Sequence, residues 1–110
     1  MTNVFDNILG LIGNTPMVKL NEVTKDIPAK VYAKIESFNP GHSTKDRIAL
    51  HIIEAAERKG LLTPGATIVE TTSGNTGFSI AMVSIIKGYN CILAVSSKSS
   101  KDKIDMLRAM

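Results

Sequence analysis

The feature that most constrains this chain is a switch of hydrophobic period that recurs after residue 30. Val31 to Glu36 (VYAKIE) alternates apolar and polar residues, as Pro16 to Leu20 (PMVKL) does earlier, and both patterns predict strands. From Ser43 to Lys59 the period becomes helical, with Ile48, Ala49, Ile52, Ile53 and Ala56 recurring three and four apart. Thr67 to Glu70 (TIVE) then predicts a short buried strand. Phe78, Ala81, Met82 and Ile85 share a helix face, Cys91 to Val95 predicts another strand, and Ile104, Leu107 and Met110 resume helical spacing. Strands alternating with helices in this way predict βαβ crossovers, and so an α/β fold with a parallel sheet and helices on both faces.

Punctuation supports the same elements. Asn39-Pro40-Gly41 and Leu61 to Gly65 are turn sequences, and Gly60 and Gly88 follow the last periodic residues of two helices. Ser43 with Asp46, and Ser99 with Asp102, have the spacing of a capping box in an aspartate variant. The segment Thr71 to Gly77 (TTSGNTG) predicts a polar connection from strand to helix.

With 110 residues, 44% of them hydrophobic, the chain has the makings of one modest domain and excludes collagen-like, low-complexity and disordered classes. Lys87 to Asn90 interrupts the longest apolar stretch, so no run approaches the roughly 18 residues of a membrane span. The N-terminal MTNVFDNILGLIGN has neither a basic leader nor a small-residue cleavage site, which predicts a cytoplasmic location. Net charge is +3, and the locally cationic Lys98 to Lys103 lacks interleaved aromatics, so it reads as a solvated helix start and no nucleic acid is expected as a partner. Cys91 reads as a small core residue, while His42 and His51 have no companions at ligand spacing and no metal site is expected.

Two constellations could carry chemistry. In Asn39 to Arg47 (NPGHSTKDR), a Ser43 cap would put Lys45 at the second helical position, where the macrodipole disfavours a cation by about 0.3 to 1 kcal/mol. A neutral amine there is a nucleophile able to condense with an aldehyde, although a surface lysine pointing into water satisfies the same position. Asp46 favours the helix start, and Arg47 is expected to reach a carboxylate. In Thr72-Ser73-Gly74-Asn75-Thr76-Gly77, hydroxyls, a carboxamide and consecutive backbone N–H groups at a helix start form a cradle for a carboxylate or phosphate, or an ordinary cap and turn. Neither the dinucleotide pattern nor the P-loop lysine is present.

Ile12-Gly13-Asn14-Thr15-Pro16, then Asn39-Pro40-Gly41-x-Ser43-x-Lys45-Asp46-Arg47, then Glu70-x-Thr72-Ser73-Gly74-Asn75-Thr76-Gly77, together resemble the cysteine synthase and cystathionine β-synthase family over essentially the whole chain. The resemblance implies the N-terminal part of a tryptophan-synthase-β-like fold, with residues to about 85 in the cofactor-binding core and about 86–110 starting a mobile substrate-side subdomain. It also implies pyridoxal phosphate bound covalently through Lys45, with Asn75 hydrogen-bonded to its ring oxygen. Thr72, Ser73, Asn75 and Thr76 would grip the substrate carboxylate. The activity implied is β-replacement on serine or O-acetylserine, with sulfide giving cysteine or homocysteine giving cystathionine, in a homodimer when full length. His42 and Thr44 replace a commoner glycine and valine, Thr71 a commoner proline, and Val95-Ser96-Ser97 stands where Met-Pro is frequent. The family's phosphate-binding loop and its partner for the pyridine nitrogen lie beyond the equivalent of Met110. The alternative is therefore a catalytically silent fragment or degenerate homologue that binds small carboxylates or a partner chain.

Overall fold

The structure, a computed structural model, describes residues 4–72 and 74–110. Strands β1 (Met17–Lys19) and β2 (Tyr32–Lys34) pair antiparallel, with Val18 opposite Ala33. Helix α1 (Lys45–Arg58) leads to β3 (Thr67–Thr72), α2 (Asn75–Lys87), β4 (Asn90–Val95) and α3 (Lys101–Ala109). β3 and β4 pair in parallel from Thr67 opposite Asn90 to Thr72 opposite Val95, with α2 as the crossover.

The α/β class and the parallel sheet agree with the periodicity, but β2 is not part of that sheet. β2 is committed to β1, and Asn39 and Glu36 hold the turn after it to the N-terminal segment instead of feeding it into a crossover. The sheet is covered on one face, where Ile68, Cys91 and Leu93 pack beneath the helices. On the other face Val69 and Ile92 are 67% and 58% exposed, so the described residues supply no cover there.

β3 runs two residues past TIVE because Thr71 and Thr72 continue the ladder against Ala94 and Val95. α2 starts earlier than its apolar spacing implies, at Asn75, so only positions 73 and 74 separate strand from helix. This places the strand's C-terminal end directly against a helix N-terminus, the arrangement in which α/β folds build ligand sites.

The core lies where α1 meets α2 and α2 meets the sheet: Ala49, Ile53, Ile80 and Val83 are buried together. Between α2, β4 and α3 a groove of about 800 Å³ remains, lined by Ile85, Leu93, Ile104 and Leu107 among others. The radius of gyration, 17.1 Å, exceeds the roughly 13 Å of a compact chain this long.

At the far end of the helix pair, Lys87 Nζ meets Glu57 Oε2 at 2.9 Å and the Tyr89 hydroxyl donates to Glu57 Oε1 at 2.8 Å. The Lys87 ammonium first, and the Tyr89 hydroxyl with it, hold the Glu57 carboxyl below the ordinary glutamate range. The bond to Glu57 in turn holds the Tyr89 phenol above its ordinary value. A lowered carboxyl stabilises the fold above the ordinary glutamate range, and that contribution disappears as pH falls through the lowered value. The tyrosine contribution is present below the ordinary phenol range and is lost as pH rises through the raised value. Thermal unfolding followed by circular dichroism should therefore show Glu57→Gln lowering Tm at neutral pH while flattening its decline as pH falls through and below the ordinary glutamate range.

Candidate functional site

The site is organised by a carboxylate that sequence reading left with a minor role. Asp46 is fully buried in the first turn of α1. Its Oδ2 accepts from the Gly41 N–H at 2.5 Å, and its Oδ1 accepts from the Ser79 hydroxyl, on α2, at 2.6 Å. One side chain thus ties the Pro40-Gly41 turn, the start of α1 and the second turn of α2 together. A buried carboxylate needs such partners, because without them it would remain in a medium of low dielectric uncompensated. Gly41 must be glycine here: a Cβ on it would collide with the Asp46 carboxylate.

The expected cap is reorganised accordingly. α1 begins at Lys45, and Ser43 Oγ accepts from the Lys45 N–H at 3.0 Å, while Asp46 reaches back to Gly41 instead of closing a box on Ser43. Lys45 is therefore the first helical residue, half-buried, and not the second.

Lys45 lines a cleft of about 480 Å³ with Glu70, Thr71, Thr72, Gly74, Asn75, Thr76 and Lys103. The fold thereby brings Lys45 together with Thr72, Asn75 and Thr76, which are separated from it by at least 27 positions; Ser73 lies outside the described residues. Thr72 is buried, and its hydroxyl is occupied by the loop itself. Oγ1 accepts from the N–H groups of Gly77 at 3.0 Å and Gly74 at 3.3 Å, shaping the start of α2. Gly77 is fixed by this packing, since a Cβ there would strike the Thr72 methyl. Gly74 is not, because a Cβ on it would meet only Lys103 Nζ at 3.8 Å, an ordinary contact.

The first two sequence motifs are joined through a second network that gathers on Glu36. Arg47 Nε donates to Glu36 Oε2 at 3.0 Å and Arg47 Nη2 donates to the Thr15 hydroxyl at 2.9 Å. Asn39 Nδ2 donates to Glu36 Oε2 at 2.7 Å, and the buried Asn39 Oδ1 accepts from the Gly13 N–H at 3.0 Å. The Arg47 guanidinium, with help from Asn39 and Lys34, holds the Glu36 carboxyl below the ordinary glutamate range. The carboxylate expected for Arg47 is thus Glu36.

Sequence reasoning gave Asp46 only a helix-start role, quoted Glu70 with no role, and missed Ser79 and Lys103 as site residues. Ser79 had a signal, being one of two serines, with Ser84, in the otherwise apolar middle of α2. Lys103 had none: the docking of α3 beside the loop after β3 puts it in the cleft.

A family model described as pyridoxal-phosphate dependent enzyme matches residues 8–110. The chain is 50% identical over 109 residues to a cystathionine beta-synthase of Rattus norvegicus, covering 97% of this chain and 19% of that protein. It is 51% identical over 104 residues to a cysteine synthase of Staphylococcus aureus, covering 94% of this chain and 34% of that one. The crystal structure of a hydrogen sulfide-producing enzyme from Fusobacterium nucleatum superposes with a TM-score of 0.90 at 41% identity, covering 99% of this chain and 36% of that chain. The chain thus spans between 19% and 36% of the length of these three proteins.

Two stability outcomes follow from the geometry. Asp46→Ala strands the Gly41 N–H and the Ser79 hydroxyl and should cost about 3 kcal/mol in denaturant unfolding, against about 1 kcal/mol for Ser79→Ala. His42, which replaces the family's commoner glycine, has φ +56°. Left-handed backbone costs a residue with a Cβ about 1 to 2 kcal/mol, so His42→Gly should raise the unfolding midpoint and His42→Val should lower it.

Proposed function

This chain belongs to the pyridoxal-phosphate dependent enzyme family, and we propose that it serves β-replacement on serine or O-acetylserine, with sulfide giving cysteine or homocysteine giving cystathionine. The observation that carries this reading is the single cleft lined by Lys45 and by Thr72, Gly74, Asn75 and Thr76. Its donor set fits the cofactor: a primary amine for an aldehyde carbon, a carboxamide on Asn75, and hydroxyls and N–H groups at a helix start.

When bound, pyridoxal phosphate supplies an electron sink that makes the substrate's α-proton acidic. Lys45 Nζ would hold the cofactor and take that proton, while the Asp46 carboxylate fixes where the start of α1 stands relative to α2. Asn75 would hydrogen-bond the cofactor's ring oxygen. Thr72, Ser73, Asn75 and Thr76 would grip the substrate carboxylate, and the Thr72 hydroxyl also accepts from the Gly74 and Gly77 N–H groups. Carboxylate binding at the start of α2 draws the segment from about residue 86 over the cleft and excludes water. A homodimer is the assembly proposed for the whole enzyme.

A second reading is carboxylate binding without turnover. It is favoured by the loop itself, whose hydroxyls and N–H groups can accept an anion with no cofactor present.

The two readings part in one experiment. Protein incubated with pyridoxal phosphate, then with O-acetylserine and sulfide or with serine and homocysteine, is expected to yield cysteine or cystathionine by mass spectrometry. Lys45→Ala should remove the lysine-dependent visible absorbance band and slow product formation by about 1,000-fold. A band of equal intensity in Lys45→Ala overturns the proposed role of Lys45, and carboxylate binding with no product favours the second reading.

A further inference from the structure

Lys103 projects from the first turn of α3 toward the loop between β3 and α2, where its Nζ lies 3.8 Å from the position of a Cβ on Gly74. On the same helix, Lys101 and Arg108 both pair with Asp105, whereas no ion pair among the described residues engages Lys103. Its charge is therefore available to the cleft, at the rim and in contact with water.

The charge balance of the cleft gives that position a consequence. Among the described lining residues the cations are Lys45 and Lys103 and the anion is Glu70, whose Oε1 is held by the Thr71 N–H at 3.0 Å. With Lys45 committed to the cofactor, Lys103 is the cation left to offset Glu70 and attract an incoming carboxylate. The loop offers hydrogen bonds but no formal positive charge, and a charge-assisted partner strengthens the hold on an anion.

We infer that Lys103 is a specificity-determining residue that selects amino-acid substrates through their carboxylate. The inference rests on the proposed pyridoxal-phosphate site and deepens it. It also couples α3 to ligand binding, because Lys103 reaches the anion only while α3 is docked beside Gly74.

The test uses the pyridoxal-phosphate-loaded protein and two amines that differ by the carboxylate alone: L-serine and 2-aminoethanol. Each is titrated while the cofactor absorbance is followed, at low and at raised salt. Lys103→Met is expected to weaken L-serine by about fivefold, the scale of an exposed charge pair, and to leave 2-aminoethanol unchanged. Lys103→Arg should retain most of the serine affinity. Raised salt should weaken serine binding in the unaltered protein more than in Lys103→Met. Unchanged serine affinity in Lys103→Met overturns the inference, as does equal weakening of both amines, which would mark a structural role. Unaltered protein whose absorbance responds to neither amine overturns the underlying site proposal, and this inference with it.

Discussion

The buried carboxylate of Asp46 is the constraint on which the rest of the site depends. It stands between the Pro40-Gly41 turn and the middle of α2 and satisfies a donor from each. Replacing those partners with water is impossible at a position with no solvent exposure, so the two helices can approach in one arrangement only. That arrangement places the adjacent residue, Lys45, at the mouth of the loop that follows β3. The geometry of the cleft rests on a polar contact within the helix pair, with the apolar core of Ala49, Ile53, Ile80 and Val83 supplying the adhesion around it.

A second polar network does for the N-terminal segment what Asp46 does for the helices. Arg47 and Asn39 gather Glu36, Thr15 and the Gly13 N–H, so three stretches of sequence far apart in the chain share one set of hydrogen bonds. The network also holds the turn after β2 to the N-terminal segment, alongside the pairing of β2 with β1. Arg47 and Lys45 leave the same helical turn in different directions, one to the framework and the other to the cleft.

Glycines in the two motifs do unlike work, although they look alike in the sequence. Gly41 and Gly77 make room for the Asp46 carboxylate and the Thr72 methyl, both of which would collide with a Cβ. Gly74 has space for one and instead leaves the loop backbone open to the cleft. A motif read as uniformly permissive therefore divides into packing positions and an access position once neighbours are known.

The sequence by itself determined the elements and their order, because hydrophobic period, turn residues and helix stops are local properties: α1, α2 and β4 fall within a few residues of where spacing puts them. It also singled out Lys45 and the segment from Thr72 to Thr76 through the order of the three motifs, since those residue types alone fit a surface lysine and an ordinary cap as well. Tertiary structure alone decided that these meet in one cleft, that β2 pairs with β1, and that Asp46 is buried. Only the docking of α3 could bring Lys103 to Gly74, since a cation in a polar helix start is indistinguishable from any solvated lysine until its neighbours are fixed. The physical reason is range: period and propensity act over a few residues, whereas burial and charge pairing depend on partners about thirty positions away.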